Sequence, residues 1–173
     1  TSQESLDDAS LLAKNLDISL DSIFIQNIVD EYEKALSHSK KVNNNSITYQ
    51  NLQSRTRGTI LMGLANDLGA LLLTTGNKSE YATGYATIYG DMNGAFNPIK
   101  DLYKTEIFEL AKYINLQSEI IPLNIINKPP SAELAPDQKD TDSLPNYDIL
   151  DQILYQLIEN RSSFKTLYSK YDR

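Results

Sequence analysis

Leu6, Ala9, Ala13 and Leu16 recur at helical spacing behind a polar opening, Thr1-Ser2-Gln3, and predict a helix over residues 5–15. Ser5 followed by Asp8 resembles a capping box with the shorter acid. The short apolar run Ile23-Phe24-Ile25 suits a buried strand that enters a second helix marked by Ile25, Ile28, Val29, Tyr32 and Leu36. Lys40 to Ser46 is polar, turn-prone and aperiodic, and reads as a surface loop. From Thr48 to Asp67 the pattern is helical again. Its late part, Ile60-Leu61-Met62-Gly63-Leu64-Ala65, is apolar nearly all round, which predicts burial. Gly69 then opens Ala70-Leu71-Leu72-Leu73-Thr74-Thr75, and continuous apolar runs of strand length belong to strands covered on both faces of a parallel sheet. Two further amphipathic helices rest on Ile107, Leu110, Ala111 and Ile114, and on Tyr147, Leu150, Leu154, Leu157 and Ile158. The alternation predicts an α/β fold, a parallel sheet flanked by helices, with no internal repeat.

Composition narrows the chemistry. The chain has 173 residues, 40% apolar and 23% charged, a mixture suited to one domain. Its net charge of −7 argues against a duplex-binding surface, so no nucleic-acid partner is expected. With no cysteine and a single histidine, His38, there is no disulfide framework, thiolate zinc site, thiol nucleophile or Ser-His-Asp triad, and any metal must sit on oxygen ligands. No apolar run approaches the roughly 20 residues that span a bilayer, and the polar, acidic first residues argue against a signal peptide. A soluble, cytoplasmic setting without a membrane partner is the expectation.

All seven glycines lie between Gly58 and Gly94, and all six prolines from Pro98 onward. Between the last two helices, Asn124 to Pro145 holds four of those prolines with Glu133, Asp137, Asp140 and Asp142. Such a segment is either a functional loop, mobile without ligand, or disordered. The apolar run ends in Thr74-Thr75-Gly76-Asn77-Lys78-Ser79-Glu80, at the carboxyl end of the expected strand, where ligands of open α/β sheets bind. Thr75 can donate to a nucleotide, and Glu80 can hold a hard cation or accept from a substrate. The same residues also fit an ordinary turn into a helix. A second glycine-bearing stretch, Tyr89 to Thr105, ends in Lys104 at a helix start, where a cation opposes the helix dipole. An anion would resolve that conflict, and a solvated lysine is the plain alternative. Neither a Walker P-loop nor a dinucleotide fingerprint is present. Residues alone reach a polar crevice over residues 75 to 104 suited to a phosphorylated ligand.

At these positions the chain resembles NAD synthetase, specifically the synthetase domain of bacterial glutamine-dependent enzymes. The resemblance runs through Asn51-Leu52-Gln53-Ser54-Arg55, Leu73 to Glu80, Gly84 to Asp91, Phe96 to Thr105, and Lys128-Pro129-Pro130-Ser131-Ala132-Glu133-Leu134. Pro136 to Asp140 and Ser143 to Asp148 look like the same family's loop and following helix. The resemblance implies an ATP pyrophosphatase-type fold, similar to adenine nucleotide alpha hydrolases, usually assembled as a homodimer. It implies a reaction in which the nicotinate carboxylate of deamido-NAD attacks the α-phosphorus of ATP, releasing pyrophosphate, and ammonia then displaces AMP to leave NAD. Carried over by position, Asn51, Arg55 and Glu80 would contact deamido-NAD, Thr75, Lys104 and Ser131 would contact ATP, and Glu80 would serve Mg2+. Ammonia would come from glutamine through a glutaminase domain of the same polypeptide.

The departures matter too. The family's Ser-Gly-Gly-x-Asp-Ser loop should precede Thr1, and its lysine-rich closing segment should follow the helix containing Tyr155. Some members place lysine at Ile88 and aspartate at Ala95, so contacts there do not transfer. Residues 1–173 are therefore expected to be a partial synthetase domain that does not turn over alone. The alternatives are a related ATP pyrophosphatase-type amidotransferase for another carboxylate, and a non-catalytic dimerisation module.

Overall fold

The computed structural model describes residues 1–38 and 46–171. Eight α-helices follow in order among them: α1 (Gln3–Asn15), α2 (Gln26–Ala35), α3 (Ile47–Leu68), α4 (Lys78–Thr83), α5 (Lys104–Ile114), α6 (Leu123–Asn127), α7 (Tyr147–Ile158) and α8 (Phe164–Tyr171), with a 3₁₀ turn at Asp140–Asp142. Helix α2 packs on α3, while α4, α5 and α7 pack on one another and α8 on α7. The loop read at Lys40–Ser46 lies outside the described residues, except for Ser46, whose hydroxyl caps α3 by accepting from the Tyr49 N–H.

Periodicity located α1, α2, α3, α5 and α7, while α4, α6 and α8 are too short to carry a readable stripe. In α7, Tyr147, Leu150 and Leu154 join Tyr103 in the core, with Leu144 packed against them. Helix α1 starts earlier than its pattern: Ser2 is its cap, accepting from the Ser5 N–H at 3.2 Å. Asp8 caps nothing and instead pairs with Lys128 at 3.0 Å.

The sheet is where the structure departs from the pattern. Among the described residues no strand of a ladder forms, and only one bridge exists, parallel, between Leu73 and Phe96. Around it the Ala95 N–H donates to the Leu72 carbonyl and the Thr74 N–H to the Phe96 carbonyl, both at 2.9 Å. A strand's backbone groups need neighbours on both sides, and these residues supply one short neighbour. Leu71 and Leu73 are accordingly 66% and 53% exposed, not covered. Ile23-Phe24-Ile25 is not a buried strand either, since Phe24 is 90% exposed. The apolar half of α3 likewise stays open at Leu61, Leu64 and Leu68, while its buried residues are Tyr49, Ser54, Thr56 and Gly58. The segment between α5 and α7 contains α6 and the 3₁₀ turn, so it is less irregular than its prolines suggest.

Candidate active-site cleft

Asn51, Ser54 and Gly58 recur at three- and four-residue steps and so share one face of α3. Onto that face is stapled the loop that follows α4. The Ser54 hydroxyl donates to Asp91 Oδ1 and accepts from the Asp91 N–H, both at 3.0 Å. Asp91 Oδ1 also accepts from the Thr87 N–H at 2.8 Å, and the Thr87 hydroxyl donates to Asn51 Oδ1 at 2.9 Å. Gly58 permits the close approach: a Cβ there would meet the carbonyl oxygens of Tyr89 and Gly90 at 2.9 Å. Asn51 is therefore an anchor for the loop from within α3.

The second wall is built at the ends of two helices. Helix α4 opens with a capping box in which Asn77 Oδ1 accepts from the Glu80 N–H and Glu80 Oε2 from the Asn77 N–H, each at 3.0 Å. The other carboxylate oxygen, Oε1, lies 3.2 Å from Lys104 Nζ. Lys104 is the first residue of α5, and this ion pair is what offsets its unfavourable place at the positive helix end. Its ammonium also lies 5.5 Å from the centroid of the Tyr147 ring.

Residues 128–140 form the third side. The Gln53 side chain donates to the Leu134 carbonyl at 2.8 Å, and Gln138 accepts from the Leu134 N–H at 2.9 Å. Glu133 is held at the start of α1: its Oε2 accepts from the Ser2 N–H at 3.0 Å, and its Oε1 from the hydroxyls of Ser2 and Ser5. The Lys128 ammonium also donates to Ser5 and Asp8, holding the Asp8 carboxyl below its usual range. The segment is thus tied to both α1 and α3.

These walls enclose a cleft of about 640 Å³. Asn51, Thr75, Glu80, Lys104 and Ser131 all line it; Arg55 does not, being exposed with its Nε donating to the Ile88 carbonyl at 3.2 Å. The arginine that lines the cleft is Arg57, unremarked in the sequence; burial lowers its pKa and the nearby Glu133 carboxylate opposes that. Lys104 and Ser131 also border a smaller apolar hollow of about 270 Å³ floored by Ile107, Phe108 and Ile126. Among the described residues no three acidic or histidine side chains cluster as a metal site, and Glu80, the expected ligand, has one oxygen committed to its cap and the other paired with Lys104.

Deep in the cleft, Asp140 is 3% exposed and accepts from the Tyr147 hydroxyl at 2.8 Å through Oδ2, while Oδ1 is buried with no hydrogen-bond partner. Burial first, and then Asp140, push both tyrosines up, Tyr147 strongly and Tyr85 to about 12. Tyr85 therefore remains a neutral donor at physiological pH. Free tyrosine ionises near 10, so between pH 10 and about 12 the unfolded chain releases a proton that the fold retains. Tyr85 then contributes stability that is complete below pH 10 and is lost as pH rises through this window. In ultraviolet titration, the transition removed by Tyr85→Phe is expected near pH 12; its appearance near 10 would contradict this environment.

The NAD synthase family profile matches residues 1–172. The glutamine-dependent NAD(+) synthetase of Rhodobacter capsulatus is 51% identical over 94% of this chain and 31% of its own length. That of Acinetobacter baylyi is also 51% identical, over 98% of this chain and 32% of its own length. Among solved structures, the glutamine-dependent NAD+ synthetase from Acinetobacter baumannii in complex with ADP aligns with a TM-score of 0.70 at 42% identity, covering 99% of this chain and 30% of that one. The NMN synthetase from Francisella tularensis aligns with a TM-score of 0.79 at 28% identity, over 88% and 61% respectively. The chain thus spans about a third of the length of the curated relatives it matches.

Proposed function

This chain belongs to the NAD synthase family, and we propose that residues 1–173 are part of the ammonia-ligating domain of a longer glutamine-dependent NAD synthetase with an ATP pyrophosphatase-type α/β fold. The supporting observation is the convergence of Lys104, Glu80, Thr75, Asn51 and Ser131 on one cleft just beyond the Leu71–Leu73 run. In this reading the nicotinate carboxylate of deamido-NAD attacks the α-phosphorus of ATP, the bond to the β-phosphoryl oxygen breaks, and pyrophosphate leaves. Ammonia, supplied from glutamine by a glutaminase domain, then adds to the acyl carbon, and AMP departs as a proton is lost. Activation is required because a free carboxylate is a poor electrophile.

Displacement at phosphorus asks for cationic stabilisation and positioning more than for a strong base. Lys104 and Arg57 supply fixed positive charge along the cleft, Thr75 and Ser131 hydroxyl donors, and Asn51 an amide on the floor. Arg55, outside the cleft lining, keeps a role only toward the part of deamido-NAD that projects beyond it. Both Glu80 oxygens are engaged, Oε2 by the Asn77 N–H and Oε1 by Lys104, so Glu80 would serve Mg2+ only if Oε1 turned from the lysine toward the ion, which typically uses one or two carboxylates with waters and substrate phosphates. The ion would neutralise charge on the phosphate oxygens. Exposed Leu61, Leu64, Leu68, Leu71 and Leu73 support a homo-oligomeric or domain-covered setting. Among the described residues no helix is long and apolar enough to cross a membrane; the cytoplasm is the compartment we assign.

The test is NAD formation from deamido-NAD, ATP and ammonia by the full-length polypeptide, with one AMP and one pyrophosphate per NAD. Residues 1–173 alone are expected to form none. The alignment with the NMN synthetase favours a second reading, amidation of the corresponding mononucleotide. Preference for that substrate by kcat/KM would select it.

A further inference from the structure

Tyr103, the cap residue of α5, makes no side-chain cap hydrogen bond, and α5's own Glu106 reaches only the Tyr103 N–H, at 2.8 Å. The Lys104 N–H instead donates to Ser79 Oγ on α4 at 2.9 Å. The Thr105 N–H donates to Asp151 Oδ2 on α7 at 2.8 Å, and so does the Thr105 hydroxyl. Asp151 closes the circuit with its other oxygen, accepting from the Ser79 hydroxyl at 2.5 Å. Three helices therefore meet at one carboxylate. Asp151 is 5% exposed and Ser79 fully buried, and Asp151 sits on the apolar stripe of α7 between Tyr147 and Leu154.

A buried charge of this kind is costly unless it is fully hydrogen-bonded, and the positive end of α5 is its compensation. What the arrangement fixes is the mutual placement of two residues on its far side. Ser79 precedes Glu80, and Thr105 follows Lys104, so each half of the cleft's ion pair is one residue from a group bonded to Asp151. We propose that Asp151 is a positioning residue that sets the Lys104–Glu80 pair for the nucleotide's phosphates, acting through Ser79 and Thr105 without touching substrate. It rests on the reading of the cleft as a nucleotide site, and it names a residue that neither the sequence pattern nor the resemblance singled out.

Held groups in such sites lose about 10- to 100-fold when misplaced by an ångström. The full-length polypeptide is assayed first unmodified, so that failure to make NAD counts against the proposed function alone. Asp151→Ala is then expected to raise the KM for ATP, and the Kd for ADP by calorimetry, about 10-fold or more, with the KM for ammonia changed less than threefold. Asp151→Asn keeps an oxygen for Thr105 and a polar group for Ser79, and is expected to recover ADP affinity to within about threefold of the parent. If Asp151→Ala does not fold, Thr105→Val and Ser79→Ala, which remove one member each, are expected to weaken ADP binding in the same direction. Folded variants that bind ADP as the parent does, or that lose all substrates equally, would overturn the assignment.

Discussion

Replacing Lys104 by alanine is expected to lower kcat/KM for ATP by about 10²- to 10³-fold, the range for removing one fixed donor from a developing negative charge. The lysine stands at the first position of α5, borders both hollows and pairs with Glu80 at 3.2 Å. Its removal takes away the charge but little of the fold. The helix loses a cation from its positive end, a small gain, while Glu80 keeps its capping bond to the Asn77 N–H. Activity should therefore collapse with the melting temperature nearly unchanged. Arginine is not expected to restore the rate, because a planar fork does not occupy the place of a compact ammonium packed beside Tyr147. Steady-state kinetics on the full-length polypeptide, alongside thermal melts, would decide; a loss under threefold would remove Lys104 from the phosphate site.

Gly58→Ala tests the opposite wall and reads out as stability. In the middle of a helix the substitution would ordinarily gain about 1 kcal/mol. Here the new Cβ would lie 2.9 Å from two backbone carbonyl oxygens and 3.3 Å from Asn93 Cβ, none of which is the end of a flexible chain. Overpacking of this sort costs about 1–3 kcal/mol, so the net effect is expected to be destabilising. Set against that gain, the net loss is up to about 2 kcal/mol, and the melting temperature should fall by up to roughly 8 °C for a chain of this size. Gly63→Ala on the same helix is the control: a Cβ there meets nothing within 4 Å, so stability should rise. If both variants gained stability, the close contact between α3 and the loop at Tyr89–Gly90 would be wrong.

Helices were legible because an amphipathic stripe needs only local spacing, as in α5 and α7. The run at Ala70–Thr75 has the pattern of a covered strand but pairs only at the Leu73–Phe96 bridge, while Thr75 and Glu80 at its end line the cleft. Sheet burial depends on partners remote in sequence, which local pattern cannot supply. Thr75, Glu80 and Lys104 were visible from strand-end and helix-start logic, whereas Asn51 and Ser131 needed the resemblance. Arg55 and Arg57 differ by two positions, about 200° of helical rotation, and only the phase of α3 against its loop tells which faces the cleft. Asp151 left one trace in the sequence, an acid on an otherwise apolar stripe, whose meaning depends on Ser79 and Thr105 arriving from two other helices.

Asn51, Ser54 and Gly58 make α3 a ruler for the floor of the cleft. Two helical turns, about 10 Å, separate its first and last mark, and that spacing belongs to the backbone pitch rather than to any side chain. A residue added within this interval would swing everything beyond it by about 100°, unseating Gly58 from Tyr89 and Gly90 while Asn51 still held Thr87. A residue added between Tyr89 and Met92 would break the same contact from the loop side, because Gly90 is buried against Gly58 and Asp91 holds both Ser54 and Thr87. Neither side of this contact can change length without the other, and the helix sets the register that both keep.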